Sequence, residues 1–257
     1  MTAVPATLRL ADGVRLRPLT ARSIILSTLL GAPDGAATSN ELVLVARNFN
    51  ITDNALRAAL SRMLTGGDVE RSDGRYQLSE RLRLRQHRQE HAVRPPSPDW
   101  DGTWQVAVVT TAGRGATERA ELRKALRNAG LGELREGVWM RPANPGAVLG
   151  DIPDILELRA ARPASDAAAL VEQLFDLPGW ARKARHLAAA YSRAGTDIDR
   201  FTIIAATVRH LVADPALPPS LLPADYPAKV LRHLYSDYRS VLAGRRPRHQ
   251  PEPTGLL

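Results

Sequence analysis

The 257-residue chain contains no cysteine. That excludes disulfides and thiol catalysis and argues against a structural zinc site. No apolar run reaches the length of a membrane span. The first residues, "MTAVPATLRLADGVRLRPLT", lack the apolar core and cleavage site of a signal peptide. A cytoplasmic protein with no membrane partner is the expectation. Enzyme signatures are missing too: no Gly-rich loop with Walker or dinucleotide spacing, no HExxH, no G-x-S-x-G elbow. The six histidines are scattered. His87 and His91 are four apart, but they stand in a run of arginines, which assigns them to a solvated or DNA-facing surface rather than to a metal. No catalytic residue, metal site or cofactor is expected.

What is present is positive charge on an ordinary globular background. Hydrophobic residues make up 44% and charged residues 24%, so a folded chain of two or three small domains is expected. The net charge is +8 and the pI about 10.5, which makes nucleic acid the first partner to consider. Nearly all of the cations are Arg, and Ala is abundant, a bias that a GC-rich coding sequence also produces. The excess is uneven. The chain up to Glu80 is nearly balanced, whereas "RLRLRQHRQEHAVR" (Arg81 to Arg94) and the tail "GRRPRH" are strongly basic.

The N-terminal part reads as helices and a hairpin. "TARSIILSTLLG" begins at Thr20, a capping residue, and ends at Gly31. "SNELVLVARNF" takes Ser39 as its cap. "ITDNALRAALSRML" takes Thr52, with Ile51, Ala55, Leu56, Ala59, Leu60 and Met63 at helical spacing and Asn54, Arg57, Ser61 and Arg62 on the opposite face. Asp73-Gly74 then predicts a two-residue type I′ hairpin turn. It sets Val69 against Leu78, Arg71 against Tyr76 and Ser72 against Arg75, with Arg75 expected at an exposed tip. Three short helices followed by a hairpin is the order of a winged helix-turn-helix, whose third helix reads the major groove. The candidate DNA-binding residues are Asn54, Arg57, Ser61, Arg62, Arg71 and Arg75. A helical interaction module with a solvated polar face is the alternative.

Pro95, Pro96 and Pro98 forbid a continuous helix in "VRPPSPDWDG" and divide this part from the rest. Beyond them, "TWQVAVVT" is a strand buried on both faces. A helix from Thr117 follows, with Gly130 just past its end, then two short strands around Glu136-Gly137, a short helix after Asn144 and the strand "DILELRAA". The order βαββαβ predicts a ferredoxin-like sandwich. From Ser165 the chain turns helical, with Trp180, Tyr191, Phe201, Tyr235 and Tyr238 as core candidates, and the last residues form a Pro-rich tail.

Three stretches carry a resemblance. "NALRAALSRMLTGGDVERSDGRYQLS", then "WDGTW" with "GLGELREGVWMRP", then "DPALPPSLLPADYP" ahead of "LRHLY" resemble, in order, the recognition helix and wing, the middle domain and the C-terminal signature of the phenylacetate-degradation repressor (PaaX) family of bacterial transcriptional regulators. "ADYP" stands where Trp-Pro is common in that family. The expected fold is therefore α+β: a winged helix-turn-helix with a basic linker helix (1–94), a ferredoxin-like, Cas2-like domain (95–176), a C-terminal helical domain (177–244) and a disordered tail (245–257). The resemblance implies a homodimeric repressor on a double-stranded DNA operator. A small effector, such as the aryl-CoA thioester phenylacetyl-CoA, would release it. A CoA ester needs cations beside an apolar wall, and the effector candidates are Trp180, Tyr191, Arg209, Arg232 and Tyr235. A Cas2-like metal-dependent nuclease is the enzymatic alternative. It calls for a carboxylate at the end of the first strand, where this chain has Thr110 and Thr111 and where Asp101 lies at the wrong end.

Overall fold

The computed structural model describes residues 16, 20–32, 34–94, 99–143, 149 and 152–244. The three linker prolines, the short helix expected after Asn144 and the Pro-rich tail lie outside the described residues.

The N-terminal part follows the order α1 (Ala21–Gly31), β1 (Ala36–Thr38), α2 (Ser39–Arg47), α3 (Asp53–Thr65), β2 (Val69–Ser72), β3 (Arg75–Leu78). Thr20 and Thr52 cap α1 and α3 as the sequence predicts, each accepting a backbone N–H three residues on. The cap of α2 is Thr38 rather than Ser39. Thr38 and Glu41 form a reciprocal capping box, and Ser39 is already the first helical residue. The reason is β1, a strand with no pattern of its own. Its three residues pair with β3 in a sheet of order β1-β3-β2, so the chain stays extended up to Thr38. The hairpin register is the predicted one. Asp73 and Gly74 both take positive φ, 51° and 73°, as a type I′ turn requires. One core holds this part together: Ile25, Leu29, Leu42, Leu56, Leu60, Met63, Val69 and Leu78 are all nearly or wholly buried.

Helix α4 (Glu80–Val93) is the junction of the molecule. Its first turn puts Leu82 into the N-terminal core. Gln86 donates to the carbonyls of Leu30 and Ala32, satisfying the open end of α1. Its last turn lays Ala92 and Val93 against the C-terminal helices.

The central sheet has β4 (Trp104–Val109), β5 (Gly132–Arg135), β6 (Val138–Pro142) and β7 (Ile155–Ala161) in the order β5-β6-β4-β7, antiparallel throughout. That is the ferredoxin-like strand order. Helix α5 (Ala116–Asn128) covers one face over Ala107 and Trp139. It starts one residue before Thr117, with Gly115 as cap, because the Glu118 side chain reaches back to the Gly115 N–H. The other face carries Trp104 and Met140 under α6 (Ala167–Leu174). Gly132 permits that approach: a Cβ there would stand 2.8 Å from the Leu174 carbonyl oxygen.

Three long helices complete the chain: α7 (Leu177–Arg193), α8 (Asp197–Val212) and α9 (Ala228–Gly244). Leu187, Ile203, Leu211 and Leu231 form their shared core. A second cluster joins them to the N-terminal part: Ile24 and Phe49 pack with Phe201, Ile204, Val208, Tyr235 and Tyr238. Phe49 and Phe201 meet with ring centroids 4.7 Å apart. Phe49 belongs to the turn between α2 and α3, so the C-terminal helices hold that turn directly.

Candidate nucleic-acid interface

Helix α3 has two unlike faces. Leu56, Ala59, Leu60 and Met63 are buried in the core, whereas Asn54, Arg57, Ser61 and Arg62 are exposed. At positions i, i+3, i+7 and i+8 the four share one side of the helix. None makes a side-chain hydrogen bond or ion pair within the described residues. A 13-residue helix is about 20 Å long, enough to lie across a major groove with such a face inward. An acid at its start would oppose a phosphate backbone, but Asp53 takes both Nε (3.3 Å) and Nη2 (2.9 Å) of Arg47. Its hydrogen bond to Arg47 holds the Asp53 carboxyl below the usual carboxylate range, so it stays ionised and paired.

The hairpin departs from expectation at Arg75. The sequence places it at an exposed tip. In the structure its guanidinium turns back to Asp34, with Nη1 2.8 Å from the carboxylate and Nη2 3.4 Å from the Ala36 carbonyl. Partial burial raises the Asp34 carboxyl, but the Ala36 N–H and the Arg75 guanidinium outweigh it and leave the group below its ordinary range. The tip holds Asp73, which accepts from the Ser72 hydroxyl at 3.1 Å. Arg71 is exposed, its guanidinium 5.8 Å from the centroid of the Tyr76 ring.

Two arginines of α4 are tied to the hairpin and the loop before it, although Arg81 is itself exposed. Arg81 and Arg22 both bind Asp68, whose carboxylate is nearly buried. Arg83 donates to the Leu78 carbonyl and to Gln77. Arg81 and Arg83 of this basic run fasten α4 to the hairpin and to the loop before it. His87 on the same helix is exposed, with Glu90 3.9 Å away.

The effector candidates fall in two places. Trp180 is stacked between His210 (4.4 Å) and Tyr226 (4.8 Å), and Arg232 is nearby, bound to Asp214 at 2.6 Å and to the Ala92 carbonyl. Burial and the neighbouring Asp214 push the Tyr226 hydroxyl well above its usual range. Tyr235 lies in the cluster around Phe49, where Gln89 donates to its hydroxyl at 3.4 Å. Tyr191 is half-buried between the two clusters, and Arg209 is exposed on α8.

At the end of β4, one carboxylate lies where the sequence shows none. The Thr110 N–H donates to the Asp154 carbonyl, and the Asp154 carboxylate is bound to Arg114. Asp154 arrives from the turn before β7, so local sequence did not reveal it. Asp101 accepts from the hydroxyl and the N–H of Thr103 at the opposite end. Among the described residues no three His, Asp or Glu side chains stand close enough to hold a metal, and no helix is long and apolar enough to cross a membrane.

Two family models match the two parts of the chain in which this geometry was found. Residues 20–82 match the PaaX-like protein family, and residues 97–159 match the PaaX central Cas2-like domain. The chain belongs to the PaaX family. Among solved structures this PaaX-like chain is similar to uncharacterized protein Rv0674 from Mycobacterium tuberculosis, at 44% identity and a TM-score of 0.76, over 88% of this chain and 97% of that one. No curated protein matches it.

Proposed function

We propose that this PaaX-like regulator binds double-stranded DNA in a sequence-specific manner through α3, and that it acts as a repressor rather than an enzyme. The observation that carries the reading is the row Asn54, Arg57, Ser61 and Arg62: four donor-bearing side chains on one exposed face, in no hydrogen bond or ion pair among the described residues, on the helix that a helix-turn-helix presents to the major groove. Among the described residues Arg22, Arg47, Arg75, Arg81 and Arg83 are by contrast each tied to an acceptor. The fuller reading adds a homodimer on two half-sites and release by a small effector such as an aryl-CoA thioester. Family membership supports both additions. Residues 1–94, 95–176 and 177–244 are the proposed reading, central and effector-sensing units.

The test is selection of duplexes from a random library by the full chain, followed by a gel shift on the recovered sequence and on the DNA beside the protein's own gene. A recovered consensus, bound more tightly than bulk DNA at moderate salt, supports the reading. Uniform binding to all sequences with a steep salt dependence would leave only a basic protein and sink it.

A further inference from the structure

We infer that Arg71, and not Arg75, is the wing's contact to DNA, and that Arg75 is a positioning residue that braces the hairpin against the start of α2. The inference rests on the DNA-binding reading above and deepens it. Strand register carries the first step. Side chains alternate across a strand, and directly paired residues point to the same face. Arg71 pairs with Tyr76, and Val69 with Leu78, two residues along on the same face. Val69 and Leu78 are buried against Leu56, Leu60 and Met63. Arg71 therefore stands on the wing face that looks toward α3. Arg75 pairs with Ser72, so it stands on the opposite, outer face with Glu70 and Gln77.

The second step is occupancy. Arg75 is committed to Asp34 and to the Ala36 carbonyl, in the segment that leads through β1 to the Thr38 cap of α2. These bonds tie the outer face of the wing to the start of the helix-turn-helix. Arg71 has no anionic partner among the described residues. Its neighbour is the Tyr76 ring, 5.8 Å from the guanidinium carbon and within cation–π range, an attraction that leaves its N–H groups for another acceptor.

The third step is charge. The tip bears Asp73 and the outer face Glu70, both of which phosphates repel. The approach left open is the inner flank, the face of the hairpin turned toward α3, where Arg71 stands. Its acceptors on DNA are phosphate oxygens or the minor-groove edges of A·T pairs beside the half-site, both of which take a guanidinium.

The experiment uses the full-length protein and a duplex recovered by the wild type from a random library. Arg71→Ala is expected to weaken binding about tenfold or more with an unchanged thermal midpoint, and Arg71→Lys to restore only part of it. Exchanging A·T for G·C pairs beside the half-site then separates the two acceptors: Arg71→Ala erases a flank preference if the contact is in the minor groove, and lowers the salt slope by about one unit if it is a phosphate. Arg75→Ala and Asp34→Ala are expected to weaken binding equally and to speed amide exchange in the hairpin. The double variant should be no worse than either single one, as for a pair that acts together. Wild-type affinity in Arg71→Ala, with Arg57→Ala impaired, would overturn the inference and leave the reading helix standing. If Arg75→Ala is impaired without faster exchange in the hairpin, while Arg71→Ala is not, the roles are reversed. Failure of the wild type and Arg57→Ala to differ on any duplex would instead remove the DNA-binding reading itself.

Discussion

Helices α3 and α4 lie close together in the chain, and both carry arginines on their polar faces, yet those arginines do different things. On α3, Arg57 and Arg62 have no hydrogen bond or ion pair within the described residues. On α4, Arg81 is fastened to Asp68 and Arg83 to Gln77 and the Leu78 carbonyl, while Gln86 closes the end of α1. The more basic helix is the structural one. A guanidinium that has already replaced its hydration with protein acceptors gains little from a phosphate, because it must first give those acceptors up. Positive charge says that a chain tolerates nucleic acid; the freedom of particular side chains says where it would touch.

The largest expected effect breaks the anchored side of the comparison. Arg232 on α9 joins the bundle to the last turn of α4, and neither it nor Asp214 is more than 13% exposed. Removing one partner strands a buried charge and costs about 3–5 kcal/mol. Arg232→Ala should lower the thermal midpoint sharply. At a temperature where it is still folded, its DNA affinity should stay within twofold of the wild type. Calorimetry and a gel shift on the same preparation check both halves, and an intact midpoint would show that the pair is dispensable.

On the free side, Arg57→Ala should do the reverse. It should cost about 1–3 kcal/mol of operator binding if Arg57 reads a base, relaxing specificity at one position. The thermal midpoint should hardly move, since only a screened attraction to Asp53 is lost. Lost stability with unchanged binding would place Arg57 among the anchored arginines and erase the contrast between the helices.

Gln86→Leu keeps the bulk of the side chain and removes its two donors from the Leu30 and Ala32 carbonyls. The Ala32 carbonyl keeps the Gly35 N–H, but the Leu30 carbonyl loses its side-chain donor, and a buried acceptor left unpaired costs about 1–3 kcal/mol. The loss should appear in chemical denaturation, as a lower midpoint with an unchanged slope. Operator affinity should follow only the fraction folded.

The sequence exposed those features of the fold that local chemistry sets. Thr20 and Thr52 are caps because a hydroxyl reaches an N–H three residues on, and Asp73-Gly74 is a turn because both residues tolerate positive φ. The polar face of α3 follows from helical period alone. What stayed hidden depends on distant pairing. Strand β1 has no apolar alternation and exists only because β3 lies beside it, which also moved the α2 cap to Thr38. Arg75 looked like a tip residue because its partner Asp34 lies before two intervening helices. Asp154 reaches the end of β4 from the turn before β7. The partner of Arg81 was hidden for the same reason: Asp68 lies on the far side of the hairpin in sequence and against Arg81 in space.

The smallest expected effect concerns pH, and it separates the two regions without removing a charge from either. His210 is stacked on Trp180, and its Nε2 lies 2.9 Å from the Trp180 carbonyl oxygen, where it donates. Burial lowers its affinity for a proton below the ordinary value of 6.5, Lys183 adds to that, and the Trp180 hydrogen bond and Asp214 oppose it without reversing the direction. The folded state thus binds a proton less readily than the unfolded chain. The stability that a neutral His210 contributes is complete above the unfolded value and is lost as pH falls through the folded one. Between about pH 7.5 and 5.5 the wild type should lose more stability than His210→Gln, which keeps a donor for the carbonyl and does not titrate. Asp53 at the start of α3, held low by Arg47, stays charged across this window, so the face of α3 is unaltered. The measurement is denaturant unfolding of both proteins across the range, with operator affinity taken alongside. Parallel stability curves would mean that His210 is not shielded as its stack with Trp180 implies. A loss of affinity in step with the loss of stability, at a pH where the protein is still folded, would show that the bundle's grip on Phe49 reaches the reading helix, and that the anchored and free regions do not act independently.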